Sequence, residues 1–252
     1  MDLFGGRVSE SCLVERLGHY LRLTSREAAA FASIEGPERV YRRGAMIRRE
    51  HDRAQELYVV NSGWLLSFVL LDDGSRQILR LHLPGDMVGL SCAAFNEATE
   101  SLVALTDVKL SPVEKASLNR LFVEHPRLGA LLFLIAQAEK VSLSDRLASL
   151  GRTSAKARVA ALILDTVARL RVMNAELRDS FAFPLTQEEI GDATGLTAVH
   201  VNRMMRALVE EGLIARQANQ LTILNEDRLA EVANYINRYA ALDTDWLPPP
   251  TT

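Results

Sequence analysis

The segment LTQEEIGDATGLTAVHVNRMMRAL, Leu185 to Leu208, gathers the side chains with the most chemistry to offer: Thr197, Ala198, Val199, His200, Asn202, Arg203 and Arg206. Thr186 stands where it can cap a helix opening at Gln187, with Glu188 and Glu189 at that helix's positive end. Gly195 stops it and Thr197 caps the next, and two helices joined by so short a glycine turn make a helix-turn-helix. Gly191 is small where the two helices cross closely. On the second helix Val201, Met204, Met205 and Leu208 recur at i, i+3, i+4 and i+7 and form a core face. Ala198, Asn202 and Arg206 fall on the other side with Val199 and Arg203, and Val199 sits about 200° around the axis from Val201. Packing does not explain a valine there. In a DNA major groove a valine can touch a thymine methyl, an arginine can pair bidentately with guanine, and asparagine or histidine can hydrogen-bond base edges or phosphates.

Downstream, EEGLIARQANQLTIL reads as strand, polar turn at Ala218 to Gln220, and strand, which is a wing. Arg216, Gln217 and Asn219 near its tip are placed to reach the sugar-phosphate backbone, where contacts position a protein without reading sequence. The plainer alternative for the two helices is a helical hairpin with a solvated polar face, and the wing behind them weighs against it.

These residues need a frame, and 252 residues with 48% hydrophobic and 24% charged content suffice for two compact, well-cored domains. A net charge of -3 makes no global electrostatic case for nucleic acid, so DNA binding has to come from a local surface. Two cysteines, Cys12 and Cys92, can form at most one bridge, and no CxxC or Cys/His spacing suggests a metal. The longest apolar run, Leu128 to Ala138, is far short of the roughly 20 residues that cross a bilayer. MDLFGGRVSE lacks the basic and apolar regions of a signal peptide, so the chain is expected in the cytoplasm.

A helical stretch runs to about Ile34, with LTSREAAAF opening at a Ser/Thr cap. Short β-branched and leucine-rich runs follow, separated by turn signals at Asn61-Ser62-Gly63, Asp72-Asp73-Gly74 and Pro84-Gly85. Regular spacing of that kind indicates a small antiparallel barrel or jelly roll. Strand texture ends near Lys115, and the period then approaches seven: Leu131, Leu134, Ala138, Val141, Asp145 and Ala148 are spaced 3, 4, 3, 4, 3. That is the seam of a two-helix coiled coil and predicts a homodimer; the alternative is a helix that covers its own barrel. A new helix starts at a Thr/Ser cap after Gly151. The expected class is α+β: an antiparallel, jelly-roll-like β-roll with N-terminal helices over 1–117, a dimerisation helix over 118–151 and a winged helix-turn-helix domain over 152–252. The tail DTDWLPPPTT reads as an extension with little order, with Trp246 its candidate to pack back.

GWLLSFVLLDDGSRQILRLHLPGDMVG, with its Pro-Gly-Asp-x-x-Gly turn, then a long helix, then LTQEEIGDATGLTAVHVNRMMRALVEEGLI, together resemble the Crp/Fnr superfamily of bacterial transcription regulators over nearly the whole chain. The resemblance implies a recognition helix in the major groove and makes Arg203 the arginine that reads guanine. Thr186, Gln187 and Thr197 match positions that usually hold phosphates, plain capping being the alternative for each. Where many relatives carry Ser-Arg-Glu-Thr-Val, this chain has Thr197-Ala198-Val199-His200-Val201, so its target is expected to differ. The sensory half departs further. Cyclic-AMP-binding members have a Gly-Glu pair and then an Arg-Ser pair, and here the matching positions hold Gly89-Leu90 and Glu100-Ser101. A carboxylate at the phosphate position repels that ligand, and no Lys or Arg lies between Gly89 and Lys109.

One Cys12 cannot supply the oxygen sensors' cysteine cluster, and His19, His51, His82 and His125 show no haem spacing. The chain is therefore expected to be a homodimeric regulator of an inverted-repeat operator, not an enzyme, with no cofactor and no metal. Double-stranded DNA, a second copy and RNA polymerase are its expected partners; no membrane partner is expected, and the effector is unknown. Two other classes compete: a β-roll ligand receptor acting through protein contacts, and a cupin-type enzyme, for which the paired histidines are missing.

Overall fold

The computed structural model describes residues 11–250. Ser11 caps α1 (Cys12–Gly18) by accepting from the Val14 N–H, and Thr24 caps α2 (Ser25–Ser33) in a complete capping box with Glu27. The turn-rich stretch beyond them forms β1 (Arg39–Tyr41), β2 (Met46–Arg48), β3 (Glu56–Ser62), β4 (Leu65–Leu70), β5 (Arg76–His82), β6 (Met87–Val88), the short helix α3 (Ser91–Ala94), β7 (Ser101–Ala104) and β8 (Val108–Glu114). Two four-stranded sheets result, in the orders β1-β8-β3-β6 and β2-β7-β4-β5. The pairs β1–β8, β3–β8, β3–β6 and β2–β7 are antiparallel.

The Pro-Gly-Asp turn has a physical reason. A Cβ on Gly85, at φ 84°, would stand 2.8 Å from the Arg16 Cβ, so only glycine lets α1 come this close. Asp86 accepts from the Leu83 N–H at 2.8 Å and pairs with Arg16 at 2.9 Å, both side chains being buried.

Helix α4 (Lys115–Glu124) and helix α5 (Pro126–Arg152) meet at a bend of 120°, so the single helix expected over 118–151 is two. Pro126 starts the second, where a missing N–H costs nothing. Among the described residues no single helix is long and apolar enough to cross a membrane. The expected seam needs correction. Leu131 is 0% exposed and Ala138 6%, both turned into the chain's own interior, and Asp145 is held by Arg238 at 2.7 Å. Leu134 packs against the core and Val141 and Ala148 are exposed. Two residues later runs another stripe, Phe133, Ala136, Lys140, Leu143, Leu147 and Leu150, again spaced 3, 4, 3, 4, 3, with Phe133, Lys140, Leu143 and Leu147 exposed and Ala136 and Leu150 half-buried.

Ser154 caps α6 (Ala155–Met173), and β9 (Ser180–Ala182), α7 (Gln187–Thr194), α8 (Ala198–Glu210), β10 (Ile214–Gln217), β11 (Gln220–Ile223), α9 (Glu226–Ala233) and a 3-10 turn (Arg238–Ala241) complete the described chain. The architecture is α+β: antiparallel sheets, a long helix and a C-terminal helix-turn-helix.

Two compact units emerge. One holds the described residues up to Ser67, His82–Ala136 and those from Asp243 on; the other holds Phe68–Leu81 with Gln137–Leu242. The division between these units falls inside α5, and the tip of the β4–β5 hairpin goes with the second unit. In the first unit Leu13, Phe31, Leu57, Val113, Leu121 and Leu128 share one core. Leu247 of the tail joins it, whereas Trp246 stays half exposed and donates to the Asp243 carbonyl. The tail is therefore anchored, by a neighbour of the residue expected to do it.

Glu27 is a second buried acid of the first unit, along with Asp86. It is 0% exposed, caps α2, and receives Arg127 Nη1 on both carboxylate oxygens at 2.9 Å. Burial would raise its pKa, but the Thr24 N–H and Arg127 outweigh burial and hold the carboxyl below the ordinary carboxylate range. A depressed carboxylate contributes stability above its unfolded pKa and loses it as pH falls through the folded one. Glu27→Ala, which strands Arg127, should cost about 3–5 kcal/mol in urea unfolding at neutral pH. Glu27→Gln should flatten the loss of stability below the usual carboxylate pKa. An acid limb identical to wild type would show that Glu27 titrates alike in both states.

Candidate nucleic-acid interface

Helix α7 begins where the Thr186 hydroxyl accepts from the Glu189 N–H at 3.1 Å and the Glu189 carboxylate accepts from the Thr186 N–H at 2.8 Å. It ends at Gly195, left-handed at φ 66°, and the N–H groups of Gly195 and Leu196 both return to the Gly191 carbonyl. A Cβ on Gly191 would lie 2.4 Å from the Leu196 carbonyl oxygen, so the glycine is demanded by the turn between the helices.

Helix α8 starts at Thr197, whose Oγ1 accepts from the His200 N–H at 3.3 Å and lies 2.9 Å from His200 Nδ1. The contact holds one edge of the exposed His200 ring and leaves Nε2 for a partner outside the fold.

Around the rest of α8 the predicted division holds: Val201, Met205 and Leu208 are buried and Met204 is half-buried. Val199 is 79% exposed, with Ala198, His200, Arg203 and Arg206 also exposed and Asn202 half so. Among the described residues neither Arg203 nor Arg206 has an ion-pair partner. The helix thus offers two uncommitted guanidinium groups, an exposed histidine and a bare valine on one side.

Strands β10 and β11 pair antiparallel with Gln217 opposite Gln220, leaving Ala218 and Asn219 as a two-residue tip. Ala218 takes the left-handed backbone at φ 51°. Strand β9, which the expected wing omitted, extends it to three strands; its burial alternates through Phe181, Ala182 and Phe183, a period-two signal that the sequence carries. Arg216 requires correction as a free phosphate ligand. Its Nη2 donates to the Leu185 carbonyl at 2.8 Å, its Nε points to the Ala218 carbonyl at 3.4 Å, and burial lowers its pKa. It is a strut between the wing and the start of α7. Between them lies a groove of about 490 Å³ lined by Gln187, Asn202, Met205, Arg206, Val209, Glu210, Arg216 and Ala218. Gln187, Asn202 and Arg206 meet there; Thr186 and Thr197 spend their hydroxyls on capping.

In the β-roll, Gly89 has φ 85°, Leu90 packs against the first core and Ser101 is buried, its hydroxyl accepting from the Glu50 N–H at 2.9 Å. Glu100 immediately precedes β7. A cation does reach Gly89, from upstream: Arg48 of β2, 6% exposed, donates to the Glu56 carbonyl at 3.2 Å, and its Nη2 lies 3.1 Å from where a Gly89 Cβ would be. The absence of Lys or Arg downstream of Gly89 gave no hint of it, because the fold alone joins the two.

Residues 157–232 match the family model described as a Crp-like helix-turn-helix domain, and residues 38–125 match that of a cyclic nucleotide-binding domain. The fumarate and nitrate reduction regulatory protein of Escherichia coli (strain K12) is 24% identical over 231 residues, covering 92% of each chain. Among solved structures, FixK2 from Bradyrhizobium japonicum is similar at 30% identity and TM-score 0.69, over 78% of this chain and 96% of that one. TTHB099, a transcriptional regulator of the CRP family from Thermus thermophilus, shares the fold at 24% identity and TM-score 0.63, over 81% of this chain and 98% of its own.

Proposed function

The chain belongs to the Crp/Fnr superfamily and is a DNA-binding transcription regulator with a cyclic-nucleotide-binding-like domain, and from that premise we propose that it acts as a homodimer reading an inverted-repeat operator through α8. The observation that carries this reading is Val199, 79% exposed on a helix whose opposite face is core, beside Arg203 and Arg206 without acid partners. A side chain that gains nothing from the fold in that position gains from a thymine methyl or another base edge. Arg203 reads guanine, Asn202 and His200 reach base edges or phosphates, and Gln187 and Arg206 follow the backbone from the groove. A regulator seated at a promoter also meets RNA polymerase, the further partner in this reading.

The second copy belongs on α5. Phe133, Leu143 and Leu147 are large, apolar and exposed, and they share the heptad-spaced stripe. A second copy of the same stripe is its natural cover, and twofold pairing there brings two recognition helices to successive major grooves, about 34 Å apart.

The β-roll is read as unresponsive to cyclic nucleotides. Leu90 offers no hydrogen bond to a ribose and faces the core, and Glu100 brings a carboxylate where a phosphate would need a cation.

Arg203→Ala should weaken binding by about 1–3 kcal/mol and relax preference at one symmetric base pair, measured by mobility shift on duplexes selected in vitro. Unchanged affinity and preference would remove Arg203 from the readout. Val199→Glu should leave stability within about 0.5 kcal/mol of wild type and move the preference at its contact toward cytosine. The same selected motif would mean that residue 199 meets no base. Leu143→Glu combined with Leu147→Glu should turn a dimer into a monomer in analytical ultracentrifugation, and a persistent dimer would move the interface off α5. Millimolar cyclic AMP or cyclic GMP should leave Tm unchanged, since only a ligand with affinity for the native state raises it; a rise that saturates with concentration would make the β-roll a nucleotide receptor.

A further inference from the structure

The tip of the β4–β5 hairpin belongs to the same compact unit as the helix-turn-helix. Arg76 Nε donates to Asp192 Oδ2 at 2.7 Å, and the Gln77 side-chain amide donates to the Asp192 carbonyl at 2.6 Å. The Arg76 guanidinium also lies 5.7 Å from the centre of the Phe68 ring, over its face. From α5, Arg146 donates to the carbonyls of Ile78 and Leu79 in β5 and of Ala193 in α7. Arg80 of β5 is tied to Glu139 of α5 at 2.9 Å. Two elements far apart in sequence, β5 and α5, therefore converge on two consecutive residues of α7.

The chemistry suits the place. Asp192 and Ala193 lie in the last turn of α7, the negative end of the helix, where a carboxylate is unfavourable and cations are favoured. Arg76 and Arg146 supply those cations. A planar guanidinium fork presents its donors at fixed angles to carbonyls of two elements at once, whereas an ammonium on a flexible stem does not fix those angles. Burial pushes the Arg146 pKa down and the neighbouring Asp165 carboxylate opposes that. Gly195 and Thr197 follow within a few residues, so whatever holds Asp192 and Ala193 also sets the direction of α8. None of these contacts touches Val199, His200, Arg203 or Arg206, so the reading face stays open.

Building on the two-headed reading above, we infer that Arg76, Asp192 and Arg146 are positioning residues that lock α7 to the β4–β5 hairpin and to α5, fixing the direction in which α8 is presented to DNA. With that direction fixed, a dimer that has bound one half-site meets the second at high effective concentration. A head that swivels binds a single half-site as before and loses the gain from the second.

The full-length protein is tested by mobility shift on an in vitro selected palindrome and on the same duplex with one half-site scrambled. Wild type should prefer the palindrome strongly. Asp192→Arg, which sets two arginines against each other, should lower palindrome affinity about tenfold while binding to the scrambled duplex stays within about twofold. The double variant R76D/D192R should recover most of that loss, and Arg146→Lys, which keeps the charge but not the fork, should lose about tenfold on the palindrome alone. Asp192→Asn, nearly isosteric, repeats the test with a smaller loss if Asp192→Arg does not fold. Equal losses on both duplexes, no loss on either, or a charge swap that recovers nothing would overturn the lock. A wild type without preference for the palindrome would overturn the two-headed reading and the lock with it, whereas a normal wild type with unmoved variants overturns the lock alone.

Discussion

A carbonyl oxygen and a missing carbon decide what this protein can read. The Leu196 oxygen occupies space 2.4 Å from where a Cβ on residue 191 would stand, and the Gly191 carbonyl in turn takes the N–H of Leu196. With the turn closed in that way, Gly195 goes left-handed and Thr197 becomes the first cap of α8. The starting residue of a helix sets the direction of every side chain on it, at 100° per residue. Had α8 begun one residue later, Val199 would have turned toward the core edge and Arg203 away from its present face. The division between Val201, Met205 and Leu208 inside and Val199, Arg203 and Arg206 outside follows from a contact that only glycine permits.

The same economy of placement appears in the charges. A net charge of -3 hides a reading helix with two unpaired guanidinium groups, while a set of other arginines among the described residues is spent inside the fold. Arg16 and Arg127 neutralise buried acids in the first unit; Arg76, Arg146 and Arg216 hold carbonyls and a carboxylate around α7 in the second. Buried ion pairs add little net stability over apolar packing, but breaking one is costly, so they specify a single arrangement. The apolar clusters supply cohesion and the arginines supply geometry.

Much of this was legible without coordinates, and the limits have physical causes. The caps at Thr24, Thr186 and Thr197, the glycine turn, the wing and the core face of α8 all rest on local rules, which act within a few residues. The family's β-roll turn and reading helix were legible as motifs too. Errors came where a distant element intervenes. Leu131 and Ala138 fit a heptad seam, yet the first unit's core had a use for Leu131, and periodicity cannot distinguish one buried stripe from another two residues away. Arg216 sits near a wing tip, yet the Leu185 carbonyl draws it inward. Arg48 and Gly89, Arg146 and Ala193, and Leu247 with the N-terminal core are pairings across tens of residues, with no local signal at either end.

The proposed function stands or falls with two copies of α8 entering two successive major grooves on one face of a duplex. Hydroxyl-radical footprinting of the full-length protein on its selected site measures this at nucleotide resolution. Two protected patches related by a dyad and centred one helical turn, about 34 Å, apart are expected. A single protected patch, or protection that spreads evenly along the duplex and vanishes with modest salt, would refute the two-groove arrangement.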